Sequence, residues 1–312
     1  MSKLILNLFK MFLLFFSTFT FANDGGCKTL VSKNINKLPH KIESYPFRIW
    51  YATEGEHALK DSTVNPAVNN IPVIINDLLL QLHTADKYYS QELGLTPPLS
   101  QQRYKQAELI DVSLIAMKKG NGLAFDEVIS GKNSQGIEHH PCGIKIHINS
   151  ALQPSHNITP AHELFHLYQY SNSMFKASWY LEGMTRWVEK AFLGAHKREP
   201  DSHLKISCSD VNKESYTASR YWQNLSKRKA AKDIKINKEY LDIKYSNGKP
   251  VFQTDTFING SSVKYFFDVL KKESANQSVI NNLPEYRWPE RIQRSFRFDK
   301  DMCRAVESIN VL

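Results

Sequence analysis

The sequence predicts an α+β fold in which a mixed-sheet lobe precedes a mainly helical one, with a metal site between the two. Three observations carry this. Strand-length alternating runs stand before about residue 150, and aromatic-faced helical runs follow it. At the junction lies His162-Glu163-Leu164-Phe165-His166, whose histidines are spaced i, i+4 and so share one face of a helix.

The chain opens on a targeting segment. Lys3 and Lys10 precede the apolar run Met11-Phe12-Leu13-Leu14-Phe15-Phe16, and Thr20-Phe21-Ala22 ends it with small residues, so cleavage after Ala22 is expected. The run is too short for a membrane span, and no later segment reaches about 18 apolar residues. Cys27 follows too far on for a lipid anchor. The mature protein is therefore expected to be exported, periplasmic or secreted, without a membrane span. Residues 1–22 form the signal peptide, 23–45 an N-terminal extension and 46–312 one domain, sheet-rich over about 46–158 and helical over 159–312.

Within that domain, Phe47-Arg48-Ile49-Trp50-Tyr51 alternates as a strand inside Pro46 to Thr53. Asn-Pro and Asn-Asn punctuation over 65–72 precedes a helix from about Val73 to Leu93, apolar at Ile74, Ile75, Leu78, Leu79 and Leu82. Leu109 to Met117 reads as a buried strand. Gly120, Gly122 and Gly131 mark a loop-rich passage, and Gly143-Ile144-Lys145-Ile146-His147-Ile148-Asn149 alternates again. Thr159-Pro160 provides an N-cap and first helical residue, and Leu164, Phe165, Leu167 and Tyr168 suit a buried helix. Trp179 to Glu189 reads as a second amphipathic helix. Tyr216 to Trp222 and Ser261 to Leu270 read as helices with aromatic faces.

The chemistry centres on the histidine pair. Two imidazoles aimed at one Zn²⁺ leave Glu163, one residue past the first ligand, in reach of a water on the metal. Three protein ligands and an open position lower the pKa of such a water to about 7. The third ligand is then missing from the motif itself. A His supplied after a glycine turn, as in metzincins, is excluded, because Gln169 and Asn172 occupy the matching positions. Trp179-Tyr180-Leu181-Glu182-Gly183 lies far enough on for a helix end, a loop and a new helix to bring Glu182 back to the metal.

On these motifs the chain resembles the gluzincins, the thermolysin-like clan of zinc metallopeptidases whose third ligand is a Glu on a later helix. The likeness covers about residues 45–270, and only the zinc motifs in it are specific. It implies a zincin-like catalytic domain, one Zn²⁺ per chain on His162, His166 and Glu182, Glu163 as general base, and a protein or peptide substrate. Thermolysin carries an acidic residue four after the ligand Glu, orienting a zinc-bound His. Arg186 stands there in this chain, which leaves Glu189 for that role. Related peptidases use a Tyr or His to stabilise the tetrahedral intermediate, and Tyr216 and Tyr221 are the candidates. His139-His140 and His147 lie on or beside the strand before the zinc helix and could line the cleft.

The formal charge of +9 falls to +7 when residues 1–22 leave with Lys3 and Lys10 and no acid. A basic surface of that size favours an anionic envelope surface or acidic substrate patches. Lys and Arg are nevertheless spread along the chain without an aromatic-interleaved groove, so nucleic acid is not an expected partner. The densest cluster, Lys227-Arg228-Lys229 with Lys232, reads as a solvated helix end.

Cys27, Cys142, Cys208 and Cys303 are expected to form two disulfides in an exported chain. Three pairings are open. The nearness of Cys27 and Cys303 to the mature termini favours joining them, with Cys142 joined to Cys208. Two other functions stand beside the peptidase: a non-catalytic envelope binding protein on the same fold, and a zinc amidase acting on cell-wall peptides.

Overall fold

A computed structural model of the chain describes residues 27–31, 37–64, 70–132, 141–194 and 206–308. Residues 1–22, expected to form a signal peptide, and His139-His140 lie outside these residues. The main sheet has seven strands: β1 (Lys28–Val31), β2 (His40–Ser44), β3 (Phe47–Tyr51), β4 (Leu109–Ile115), β5 (Gly122–Ala124), β6 (Ile129–Lys132) and β7 (Gly143–Asn149). Their order is β1-β6-β7-β4-β3-β2, and β5 pairs with the other half of β7. The parallel centre β3-β4-β7 is covered on both faces, which is why Ile110 to Ile115 and Gly143 to Ile146 are buried without interruption. The outer strands β2 and β5 run antiparallel to their neighbours.

Three strand expectations coincide with β3, β4 and β7, trimmed by a residue or two at the ends. Two others are corrected. The sheet takes β1 and β2 from the stretch read as an extension: β2 is polar save for Ile42, so its sequence carries no apolar alternation. The glycine-rich passage contains β5 and β6, strands too short to show a period.

The sheet face lined by Ile144, Ile146 and Ile148 shares one core with the helices α1 (Val73–Lys87), α2 (Thr159–Asn172), α3 (Ser178–Val188), α4 (Ser219–Arg228), α5 (Ser262–Ile280) and α6 (Asp299–Glu307), of which α2 packs on β5 and β7. The first continues through a π-helical turn at Tyr88–Glu92, so the expected helix end near Leu93 is matched. Every residue of α2 from Pro160 to Asn172 is buried. It runs through the middle of the molecule, against α1, α3, α5 and the β5–β7 edge. A helix so placed can hold ionisable side chains only where they find partners. Tyr216–Ala218 forms a 3-10 turn leading into α4, whose last turn carries Lys227 and Arg228 exposed to solvent.

On the sheet's other face Arg48 makes a bidentate pair with Asp111 (2.6 and 2.7 Å), and Trp50 Nε1 donates to the same carboxylate at 2.8 Å. All three side chains are buried.

The disulfides are Cys27–Cys142 and Cys208–Cys303, with Cα separations of 5.8 and 5.6 Å, and no cysteine is free. This corrects the pairing of Cys27 with Cys303. The reason lies in strand register. Lys28 stands opposite Ile129, and Ile129 opposite Gly143, so the residues just before β1 and β7 are brought together. Among the described residues no helix is long and apolar enough to cross a membrane.

Candidate metal centre

The start of α2 is fixed from outside the helix. Asn157 Oδ1 accepts from the Thr159 amide (2.9 Å) and hydroxyl (2.6 Å), so Asn157 supplies the capping acceptor in place of Thr159. Gln81 of α1 donates to the carbonyls of Pro154 and Asn157 (2.9 and 3.0 Å) and accepts from the Ala161 amide at 3.2 Å.

From this base the histidines project one turn apart, their ring centroids 4.6 Å from each other. Helix α3 crosses beside them and brings Glu182 to both. Its Oε2 lies 3.2 Å from His162 Nε2 and 3.5 Å from His166 Nε2. One ligand atom from each of the three residues lies within 4.8 Å of the others, and among the described residues this is the group of His, Cys, Asp and Glu able to hold a metal. The far nitrogens are also engaged. His162 Nδ1 sits 2.7 Å from Glu189 Oε1, and His166 Nδ1 sits 2.8 Å from Gln169 Oε1. With both Nδ1 atoms satisfied, both Nε2 atoms converge on one point beside a carboxylate. That donor set fits zinc, and Glu182 is partly exposed to solvent.

The electrostatics favour positive charge there. Burial opposes an imidazolium at His162, but hydrogen bonds to Glu182 and Glu189 outweigh it and raise its pKa to about 10. Glu182 and Glu189 are likewise held below the ordinary carboxylate range by His162, against the effect of burial. Arg186 is half exposed and binds Glu189 Oε2 at 2.8 Å. It steadies the carboxylate that supports His162.

Glu163 is buried on the side of α2 that meets β5, where the Ala124 amide donates to it. Burial raises its pKa, and the neighbouring histidines only partly offset this. Gly122 makes the approach possible: a Cβ there would stand 2.6 Å from Glu163 Cγ and Oε1. Gly183 serves α3 in the same way, since its Cβ would meet that of Ala218 at 2.7 Å. The close pass of the Tyr216–Ala218 turn sets Tyr216 beside the site.

The two tyrosines separate. The Tyr216 ring lies 6.0 Å from that of His162, half exposed, and its hydroxyl bonds to Glu182; burial and that carboxylate push its pKa up to about 12. Tyr221 is fully buried among Trp179 and Trp222, with its hydroxyl 3.3 Å from Glu307. It belongs to the core, which corrects its candidacy. His147 packs against Phe125 on β7, outside the ligand trio, its pKa lowered to about 4 by burial and then by Lys145.

Sequence reasoning missed Gln169, Gly122 and Gly183 as parts of the site. The i+3 spacing of Gln169 from His166 was the available signal. No protein-family model matches the sequence, and no curated protein or solved structure matches it significantly.

Proposed function

We propose that this chain is an exported zinc-dependent peptidase of the gluzincin type, with a zincin-like domain built around α2 and α3. The observation that carries the reading is the convergence of His162 Nε2, His166 Nε2 and Glu182 Oε2, beside a separate buried carboxylate, Glu163, that does not join them. When bound, zinc supplies Lewis acidity: it polarises a carbonyl and lowers the pKa of a water at its open position to about 7.

The chain's own residues supply the rest. Burial keeps Glu163 a better proton acceptor than a solvated glutamate, so it takes the proton of the attacking water and passes it to the leaving amine nitrogen. Tyr216, half exposed beside the trio, would turn its hydroxyl from Glu182 to the carbonyl oxygen on which the oxyanion forms. Among the described residues β5 pairs only with β7 and runs past Glu163, which holds its Ala124 amide, so the substrate peptide is proposed to lie beside this strand.

The test is Glu163→Gln. Gln is nearly isosteric and cannot accept the proton, so the variant is expected to keep one zinc per chain and its melting temperature while peptide-mixture cleavage falls by at least about 10²–10⁴-fold. Full zinc with cleavage near the wild-type rate would sink the mechanism and bring forward the binding-protein reading.

A further inference from the structure

Each neutral imidazole has one protonated and one bare nitrogen, and only the bare one can bind a metal. For His162 both nitrogens face acceptor-only carboxylates, Glu189 at Nδ1 and Glu182 at Nε2; a metal at Nε2 would replace the proton there and leave the hydrogen on Nδ1 for Glu189. For His166 the partner is an amide, which could present either end. The neighbouring helix decides. Gln169 Nε2 lies 3.1 Å from the Tyr180 carbonyl and 3.2 Å from that of Leu181. Carbonyl oxygens only accept, so the amide NH₂ faces them and Oε1 faces His166 Nδ1. Thr185 Oγ1 lies 2.7 Å from the Leu181 carbonyl and 3.0 Å from the same Oε1, and its single hydrogen can go to only one of them, so the two carbonyls at Gln169 Nε2 set the orientation.

Tyr180 and Leu181 are the two residues before Glu182. One fully buried side chain therefore touches both the second ligand and the turn of α3 that delivers the third. Few residues could do this. Glutamate has no hydrogen to give the two carbonyls, lysine and arginine cannot accept from the imidazole, and asparagine is one methylene shorter.

We infer that Gln169 is a positioning residue of the metal centre, fixing the Nδ1–H form of His166 and the place of Glu182 through one amide. The inference rests on the metal reading above. Second partners of this kind affect metal affinity by about 10–100-fold.

The experiment combines zinc titration against a competing chelator with NMR of ¹⁵N-histidine-labelled protein. Wild type is measured first. If it binds no zinc, the metal reading itself fails. If it binds zinc, His166 is expected to coordinate through Nε2, with a slowly exchanging proton on Nδ1. Coordination through Nδ1 would overturn the role of Gln169 without any variant. Gln169→Met, similar in length and unable to hydrogen-bond, should lower zinc affinity about 10–100-fold and speed exchange of that proton. Gln81→Met is the control: Gln81 is equally buried, bonds the start of α2 and touches no ligand. It is expected to lower stability and leave zinc affinity unchanged. Wild-type affinity in Gln169→Met, or an equal loss in Gln81→Met, would show a merely structural role and overturn the inference.

Discussion

Tyr216 and Tyr221 stand five positions apart in sequence and do opposite things. Gly183 lets the 3-10 turn close on α3, which turns Tyr216 toward Glu182 and His162, whereas Tyr221 points between two tryptophans. If Tyr216 stabilises the oxyanion, Tyr216→Phe should keep zinc and melting temperature and lower turnover about 10²–10³-fold, the usual cost of one such donor. Tyr221→Phe loses only a buried hydroxyl's bond to Glu307. It should cost about 1 kcal/mol of stability and leave turnover within a few-fold of wild type. Steady-state kinetics and thermal melts on both variants decide. Equal activity of Tyr216→Phe and wild type would remove Tyr216 from the mechanism.

At the scale of elements, the question is what holds β5 against α2. Asp126, just past β5, pairs with Arg103 and, at 2.8 Å, with Lys176 from the α2–α3 loop; Lys176 also reaches Glu290 at 2.6 Å. Burial would raise the Asp126 pKa, but the two cations outweigh it and hold it below the ordinary carboxylate value. A depressed folded-state pKa means that the stabilisation is complete above the unfolded value of about 3.9 and disappears as pH falls through the folded one. Asp126→Asn should therefore cost about 3–5 kcal/mol near neutral pH, because it leaves Arg103 and Lys176 buried with one partner fewer. The difference from wild type should shrink below about pH 4. Chemical denaturation at several pH values checks this, and a gap independent of pH would refute the assignment.

These elements also show what the sequence could tell. Phe47–Tyr51, Leu109–Ile115 and Gly143–Asn149 are legible because the face that meets the main core takes an apolar residue at every second position, whatever the partner. His40–Ser44 and Gly122–Ala124 are strands because of what they pair with, and their own residues carry no such mark. The site divides in the same way. The i, i+4 histidines are a local pattern, and Glu182 stands out in its Trp-x-x-Glu-Gly setting. In the sequence Gln169 marks only the absence of a third histidine, because its role exists only once α3 lies across it.

For the whole molecule, the disulfides tie each end of the described chain to its interior. Cys27–Cys142 spans 115 residues and Cys208–Cys303 spans 95, so the chain-entropy argument assigns each a similar stabilisation, about 4–5 kcal/mol before any native-state compensation. Their surroundings differ. Cys208 is buried within the main core, where its short helical turn packs on α6, whereas Cys27 is only half buried. Removing Cys208–Cys303 by a double alanine substitution should therefore also open a core contact and lower the melting temperature more than removing Cys27–Cys142. Losses of about 2–5 kcal/mol are typical for native disulfides. Neither bridge touches His162, His166 or Glu182, so both double variants are expected to keep one zinc per folded chain. Thermal melts with metal analysis test both statements. An equal or larger loss from the Cys27–Cys142 pair would place the weight of the fold at its N-terminal strand, against the burial seen here.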